Sequence, residues 1–242
     1  MLDTNIPIPP SGRTFSARRR IRLSDMDAHG RLRLDAVARF LQDTAIDDVQ
    51  ETGWGMPEHL WVVRRIRLDV HRPFLADTEV VLTTWSSGRG AIAAARRWSL
   101  AGDGGGQVEV DSVWIHLDAE QRPARIDDFG VYAEAAGDRV VSATLELPDP
   151  PVGGKRIAWL LRDADVDLHG HVNNAVHWQA VEDVAVLRGF DLATPHRAEL
   201  DYRQPLDRDD HVELVVFGGE ATCVAFVAGD AVKAVARLER LA

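Results

Sequence analysis

The strongest constraint on the fold is that the chain repeats itself. Residues 24–43 can be laid beside residues 164–183 at a constant offset of 140 (Asp25 to Asp165). Asp25, Asp27, His29, Gly30 and Asp43 then meet Asp165, Asp167, His169, Gly170 and Asp183. The pattern D-x-D-x-H-G stands in both copies directly before a helix-forming stretch. Farther on, R-L-D-V-H-R-P-F (67–74) resembles E-L-D-Y-R-Q-P-L (199–206) at an offset of 132 (Arg67 to Glu199). Each is followed by a β-rich run, T-E-V-V-L-T-T-W (78–85) and H-V-E-L-V-V-F (211–217).

Each copy reads as strand, loop, helix and then about four strands. After a loose tail over residues 1–13, the first strand falls at 15–23. The first helix runs from Leu34 to Gln50 with Leu34, Val37, Leu41 and Ala45 on one face and Gly53 as its stop. The second carries Val176, Ala180, Val184 and Leu187 on its apolar face and ends at Arg188 and Gly189. Its polar stripe is only Gln179, Glu182 and Asp183, so the helix is expected to be mostly buried. Strands are expected near 60–71, 78–87, 90–101 and 107–118, then near 197–205, 211–218, 221–228 and 231–240, with Gly-rich turns between them. Short turns between successive strands make antiparallel sheets, and one long apolar helix per copy needs a sheet to cover it. The stretch E-L-P-D-P-P-V-G-G-K (146–155) is a natural linker. The expected fold is α+β, a tandem double hotdog in which two antiparallel sheets each wrap around a long central helix. Its units are residues 14–145 and 155–242.

Composition excludes several functions. The chain has 242 residues, 45% of them hydrophobic, enough to bury a core without a metal or disulfide staple. A single cysteine, Cys223, excludes an internal disulfide and suits a reducing compartment. No signal-peptide-like apolar run opens the chain and no segment reaches membrane-spanning length, so a cytoplasmic protein is expected. A net charge of −10 argues against general nucleic-acid binding. Arg18, Arg19, Arg20 and Arg22, and then Arg64, Arg65, Arg67 and Arg72, form basic clusters. They read as solvated strand faces, with a landing patch for an acidic partner in reserve.

Several motifs, in order, resemble the acyl-acyl carrier protein thioesterase family. H-L-W-V-V-R-R-I-R-L-D-V-H-R-P (59–73) is similar to that family's W-V-V-x-R strand and the turn after it. T-T-W (83–85), A-R-R-W (95–98) and S-V-W-I-H-L-D (112–118) are similar to its following strands. D-V-D-L-H-G-H-V-N-N (165–174) is similar to its catalytic loop, D-x-D-x-N-x-H-V-N-N. The resemblance implies a thioesterase releasing free fatty acid, with a catalytic Asp at Asp167 and a catalytic His at His171. His169 replaces the family's Asn. A further carboxylate implied after L-D-Y-R would fall near Pro205, with a neighbouring cysteine position at Leu206, and neither residue supplies that chemistry.

Thioester hydrolysis needs a base near neutrality, a poised nucleophile and donors for the carbonyl oxygen as it gains charge. His171 is the expected base, and Asp167 either orients it or attacks directly. His169 is a further candidate that can charge where Asn cannot. Backbone N–H groups around Val172, Asn173 and Asn174 are the expected oxyanion donors, and Gly170 is expected to let the acyl chain approach the backbone. Asp165 and Asp25 read as loop or cap residues, His177 as a packed or partly exposed histidine and Cys223 as a buried strand residue. In the first copy the His171 position is Arg31, a permanent cation. One site is therefore expected, in the second copy, with the first as the wall of an acyl tunnel whose depth depends on side chains such as Trp61, Trp85 and Trp178.

The reading calls for no cofactor, no metal, no nucleic acid and no membrane. Its partner is an acyl carrier protein or coenzyme A thioester, and the protein a monomer or homodimer, within fatty acid and lipid metabolism. Alternatives are an acyl-CoA thioesterase, a hydratase or dehydratase on acyl thioesters, a non-catalytic acyl-thioester binding protein, and a metal hydrolase using D-x-D-x-H-x-H.

Overall fold

Each half is built in the order the repeat requires. The computed structural model describes residues 6–54 and 60–241; residues 1–5 of the expected tail and His59, which opens the first strand motif, lie outside the described residues. The first half has β1 (Thr14–Arg20), α1 (Leu34–Thr52), β2 (Leu60–Arg72), β3 (Glu79–Arg89), β4 (Ala93–Gly102) and β5 (Gln107–Leu117). A four-residue helix, α2 (Ala133–Ala136), precedes the linker and was not expected from the sequence. The second half has β6 (Arg156–Trp159), α3 (His177–Leu187), β7 (His196–Tyr202), β8 (Val212–Phe217), β9 (Thr222–Ala228) and β10 (Ala231–Arg240).

The two separate sheets expected are instead one. Ten strands run in the order β1-β3-β4-β5-β2-β7-β10-β9-β8-β6. The junction is an antiparallel pairing of β2 with β7. Left apart, both strands would be edges with unpaired N–H and C=O groups. Pairing them satisfies those groups and fuses the copies.

The register at this junction is self-complementary. Arg67 faces Glu199, its own repeat equivalent, so the pairing turns about that point. Arg65 faces Asp201 on one side and Asp69 faces Arg197 on the other, equivalent pairs of the two copies. Arg65 bridges to Glu199 at 2.9 Å and to Asp201 at 3.6 Å, and Arg197 bridges to Asp69 at 2.5 Å. The linker closes over this charged ladder, with the Glu146 and Leu147 amides donating to Asp201 Oδ2 at 2.9 and 2.8 Å. Arg65 and Arg67 are only 4% and 3% exposed, so they are not the solvated face that their clustering suggested. Unpaired, such buried charges would be costly, which explains the density of partners.

The helices lie against the other side of the sheet and against each other. α1 buries Leu34, Val37, Ala38 and Leu41, and α3 buries Ala180, Val181, Val184 and Ala185. Gly53 (φ 62°) and Gly189 (φ 64°) follow the helices in the left-handed conformation that ends them. Two positions depart from the expected amphipathicity. Leu187, the last residue of α3, is 68% exposed. Glu182, expected on the polar stripe, is buried because it faces α1 rather than solvent. Its Oε1 accepts from the Leu34 N–H at 2.7 Å and from Arg31 Nη1 at 3.0 Å. A carboxylate of one half thus satisfies an orphan amide in the first turn of the other half's helix. Burial pushes the Glu182 carboxyl up, and the Arg31 guanidinium opposes that shift.

Glu182→Ala is expected to destabilise the fold by about 3 kcal/mol, because it strands Arg31 and the Leu34 N–H together. Urea denaturation measures this, and a loss near zero would show that the cap carries no weight.

Candidate active site

The two D-x-D-x-H-G loops fold alike and share their cap and turn bonds, while Asp27 Oδ1 also accepts the Arg31 amide at 2.9 Å. Asp25 and Asp165 accept the amides of Arg22 and Arg162 at 2.9 and 2.8 Å, the cap roles expected of them. Asp27 Oδ1 and Asp167 Oδ1 accept the amides of His29 and His169 at 2.8 and 2.9 Å. Gly30 and Gly170 close the turns at φ 81° and 83°, where L side chains are strained. The space about Gly170 is open, so its glycine answers a backbone need present in both copies rather than a close approach of substrate. His29 and His169 both stand exposed at the turn tips. The loop is scaffold.

The copies diverge one residue later. In the first, Arg31 Nε bridges to Asp27 Oδ2 at 3.1 Å while its Nη1 reaches Glu182 at 3.0 Å, so a buried ion pair fills the position. In the second, the imidazole of His171 stays partly open to solvent and its Nδ1 bonds Asp207 Oδ1 at 2.8 Å. The carboxylate bonded to His171 is therefore Asp207, whereas Asp167 Oδ1 is bonded to the loop amide of His169. Sequence reasoning missed Asp207 because it placed the missing carboxylate near Pro205. The chain brings it two residues later for a local reason. Val172 N–H donates to the carbonyl of buried Leu206 at 2.8 Å, and this bridge sets Asp207 directly opposite His171. The repeat held a usable signal: at the 132 offset, Leu206 and Asp207 align with Phe74 and Leu75, and Leu32 N–H bonds Phe74 in the same way at 3.0 Å. Only the second copy carries a carboxylate there.

The expected oxyanion donors are thinned in the same manner. Gly170 N–H is taken by Asp167, Val172 N–H by Leu206 and Asn173 N–H by Asp165, at 3.0, 2.8 and 2.8 Å. The Asn173 side chain caps the turn, accepting from Ala175 N–H at 2.9 Å. Asn174 opens the short 3-10 turn that leads into α3, and its N–H has no acceptor among the described residues. Tyr202 holds this turn from behind, its hydroxyl donating to the Asn174 carbonyl at 2.9 Å. Burial pushes the Tyr202 phenol up, so it stays a donor.

An apolar crevice leads from Asn174 into the interior. Leu41 and Gln42 of α1, Trp98 of β4 and Trp114 of β5 line it together with Asn174 and Tyr202. Trp98 and Trp114 take the place expected for Trp61, Trp85 and Trp178, while Trp61 packs on His116 at 5.1 Å between ring centroids. Cys223 is buried in β9, and burial raises its thiol, which suits packing rather than attack. Among the described residues no three His, Cys, Asp or Glu side chains are placed to hold a metal ion.

A duplicated helix-and-sheet unit with a histidine–carboxylate pair in its second half is matched by two family models: the acyl-ACP thioesterase N-terminal domain matches residues 12–130 and the C-terminal domain residues 155–226. The chain belongs to the acyl-ACP thioesterase family, whose members are hydrolases. An uncharacterized protein of Mycobacterium tuberculosis is 27% identical over 237 residues, covering 96% of this chain and 94% of its own. Oleoyl-acyl carrier protein thioesterase 2 of Arabidopsis thaliana is 25% identical over 74% of this chain, which spans 56% of that protein. Among solved structures, the 12:0-ACP thioesterase from Umbellularia californica superimposes with a TM-score of 0.75 at 20% identity, covering 93% of this chain and 96% of its own. An acyl-ACP thioesterase from Bacteroides thetaiotaomicron gives 0.77 at 15% identity over 93% and 97%.

His177 yields a prediction about pH. It is buried against Tyr202 and Phe226, and desolvation lowers its pKa to about 4, with the Asn173 and Asn174 carbonyls partly opposing. The unfolded chain therefore takes up a proton that the folded one refuses. This contribution to stability is present above about pH 6.5 and is lost as pH falls toward 4. His177→Phe is expected to show a shallower acid loss of urea stability than the parent, and parallel pH curves would contradict it.

Proposed function

We propose that this chain hydrolyses fatty acyl thioesters in its second half, with His171 as base and Asp207 orienting it. The single observation that carries this is the 2.8 Å bond from His171 Nδ1 to Asp207. It holds Nδ1–H toward the carboxylate and leaves the Nε2 lone pair for a substrate proton. Nε2 takes a proton from water as the water oxygen attacks the thioester carbonyl. The carbonyl oxygen becomes an anion, received by the Asn174 N–H at the start of the turn into α3. Collapse breaks the C–S bond, and the imidazolium returns its proton to the leaving thiolate. Thioester and water become fatty acid and thiol, with nothing left over.

The first half serves as tunnel wall, supplying Leu41, Trp98 and Trp114 to the crevice. Its own loop is silenced by the Arg31–Glu182 pair. Acyl carrier protein is the preferred donor. The family match and the names of the Arabidopsis and Umbellularia relatives support this preference. Of the two arginine clusters, Arg18, Arg20, Arg22 and Arg72 remain exposed for an acidic partner. Asp167 keeps a place as the residue that fixes the loop, and His169 as an exposed side chain at its mouth. A cytoplasmic setting and activity as a monomer or homodimer complete the reading, since both copies of the fold lie in one chain.

Thiol release from matched acyl-carrier-protein and acyl-coenzyme A substrates tests the proposal. His171→Ala is expected to lose on the order of 10²-fold or more in kcat, and Asp207→Asn a smaller factor. His169→Asn is expected to change little. Full activity in His171→Ala would overturn the assignment, and equal kcat/KM on the two donors would remove the preference for carrier protein.

A further inference from the structure

The near-twofold relation between the halves singles out a residue that the loop motif does not contain. Glu182 on α3 reaches across to Leu34 N–H, the first amide of α1, at 2.7 Å. At the 140 offset the partner of Glu182 is Gln42 on α1, and the partner of Leu34 is Asn174. The two-fold pairing of β2 with β7 places both copies in equivalent surroundings. Gln42 should therefore stand toward the start of the turn into α3 as Glu182 stands toward the start of α1. It does: Gln42 and Asn174 line the same crevice.

The chemistry at the two positions is opposite. Glu182 is an acceptor, spent on Leu34 N–H and Arg31. Gln42 is half-buried, and its carboxamide has no hydrogen-bond partner among the described residues. Nor has the Asn174 N–H. A carboxamide can donate two N–H bonds where a carboxylate can donate none. Two donors from opposite halves, both unspent, thus face one apolar crevice that reaches Asn174, three residues after His171 in the chain.

We propose that Gln42 is a substrate-contacting residue of the second-half site, its Nε2 donating to the thioester carbonyl oxygen together with the Asn174 N–H. The site is then composite, with the base from one repeat and part of the oxyanion cradle from the other. This deepens the reading that His171 drives hydrolysis and rests on it. It also gives the first half a chemical task beyond walling the tunnel.

The test is steady-state hydrolysis of one acyl thioester by the full chain and four variants. Gln42→Glu keeps volume and shape but removes the donors, as at position 182. It is expected to lose on the order of 10²-fold in kcat with KM nearly unchanged, and Gln42→Ala to behave alike. Glu182→Gln, the mirror-image exchange, is expected to lower thermal stability and leave kcat intact. If His171→Ala is inactive while Gln42→Glu keeps its kcat, or suffers only in KM, the role of Gln42 is overturned and the base stands. If His171→Ala retains full rate, the underlying reading falls and Gln42 with it. Should Gln42→Ala fail to fold, the isosteric Gln42→Glu still decides.

Discussion

The pairing of β2 with β7 is what everything else hangs on. Each repeat alone would end in an exposed edge strand and a helix with an unsatisfied first turn. Joining the edges removes a row of bare backbone groups. It also sets two copies about a common point, so that each helix lies over the start of the other. Arg65, Asp69, Arg197 and Asp201 fix the register at this seam, where a slip of one residue would turn every charge to the apolar side. Charged groups here specify position as much as they supply stability.

Once the copies are held this way, a single geometry can be used for two purposes. On one side it is closed: Arg31, Asp27 and Glu182 form a buried polar cluster that locks the start of α1. On the other it is open: His171 and Asp207 are partly solvated, and Asn174 and Gln42 face an apolar crevice. The difference comes from a handful of side chains, since the loops share their cap and turn bonds. Duplication has given one backbone two polar settings, a buried ion pair in the first copy and a partly solvated histidine–carboxylate pair in the second.

Departures from the sequence reading cluster where chain segments distant in sequence meet. Asp207 went unnoticed because the register between the D-x-D-x-H-G loop and the segment after β7 depends on one bridge, Val172 to Leu206. Glu182 read as surface because its periodicity on α3 is correct for a polar stripe, but the surface it faces is another helix. Arg65 and Arg67 read as solvated because the linker that covers them lies about 80 residues downstream, in the Pro-rich stretch near Glu146. Val172 and Asn173 read as free donors because their acceptors, Leu206 and Asp165, become visible only once the loop is folded.

By itself, the sequence determined the duplication, the order of strands and helices, and the point after D-x-D-x-H-G, Arg31 against His171, where the copies diverge. These follow from local periodicity, turn chemistry and comparison of the chain with itself, and need no knowledge of what packs on what. Tertiary structure alone decided that the sheets merge into one, that Asp207 is the partner of His171, and that Glu182 of α3 completes the first turn of α1. The reason is physical. A backbone amide or carboxylate is satisfied by whichever group the fold brings within about 3 Å, and sequence separation carries no information about that distance.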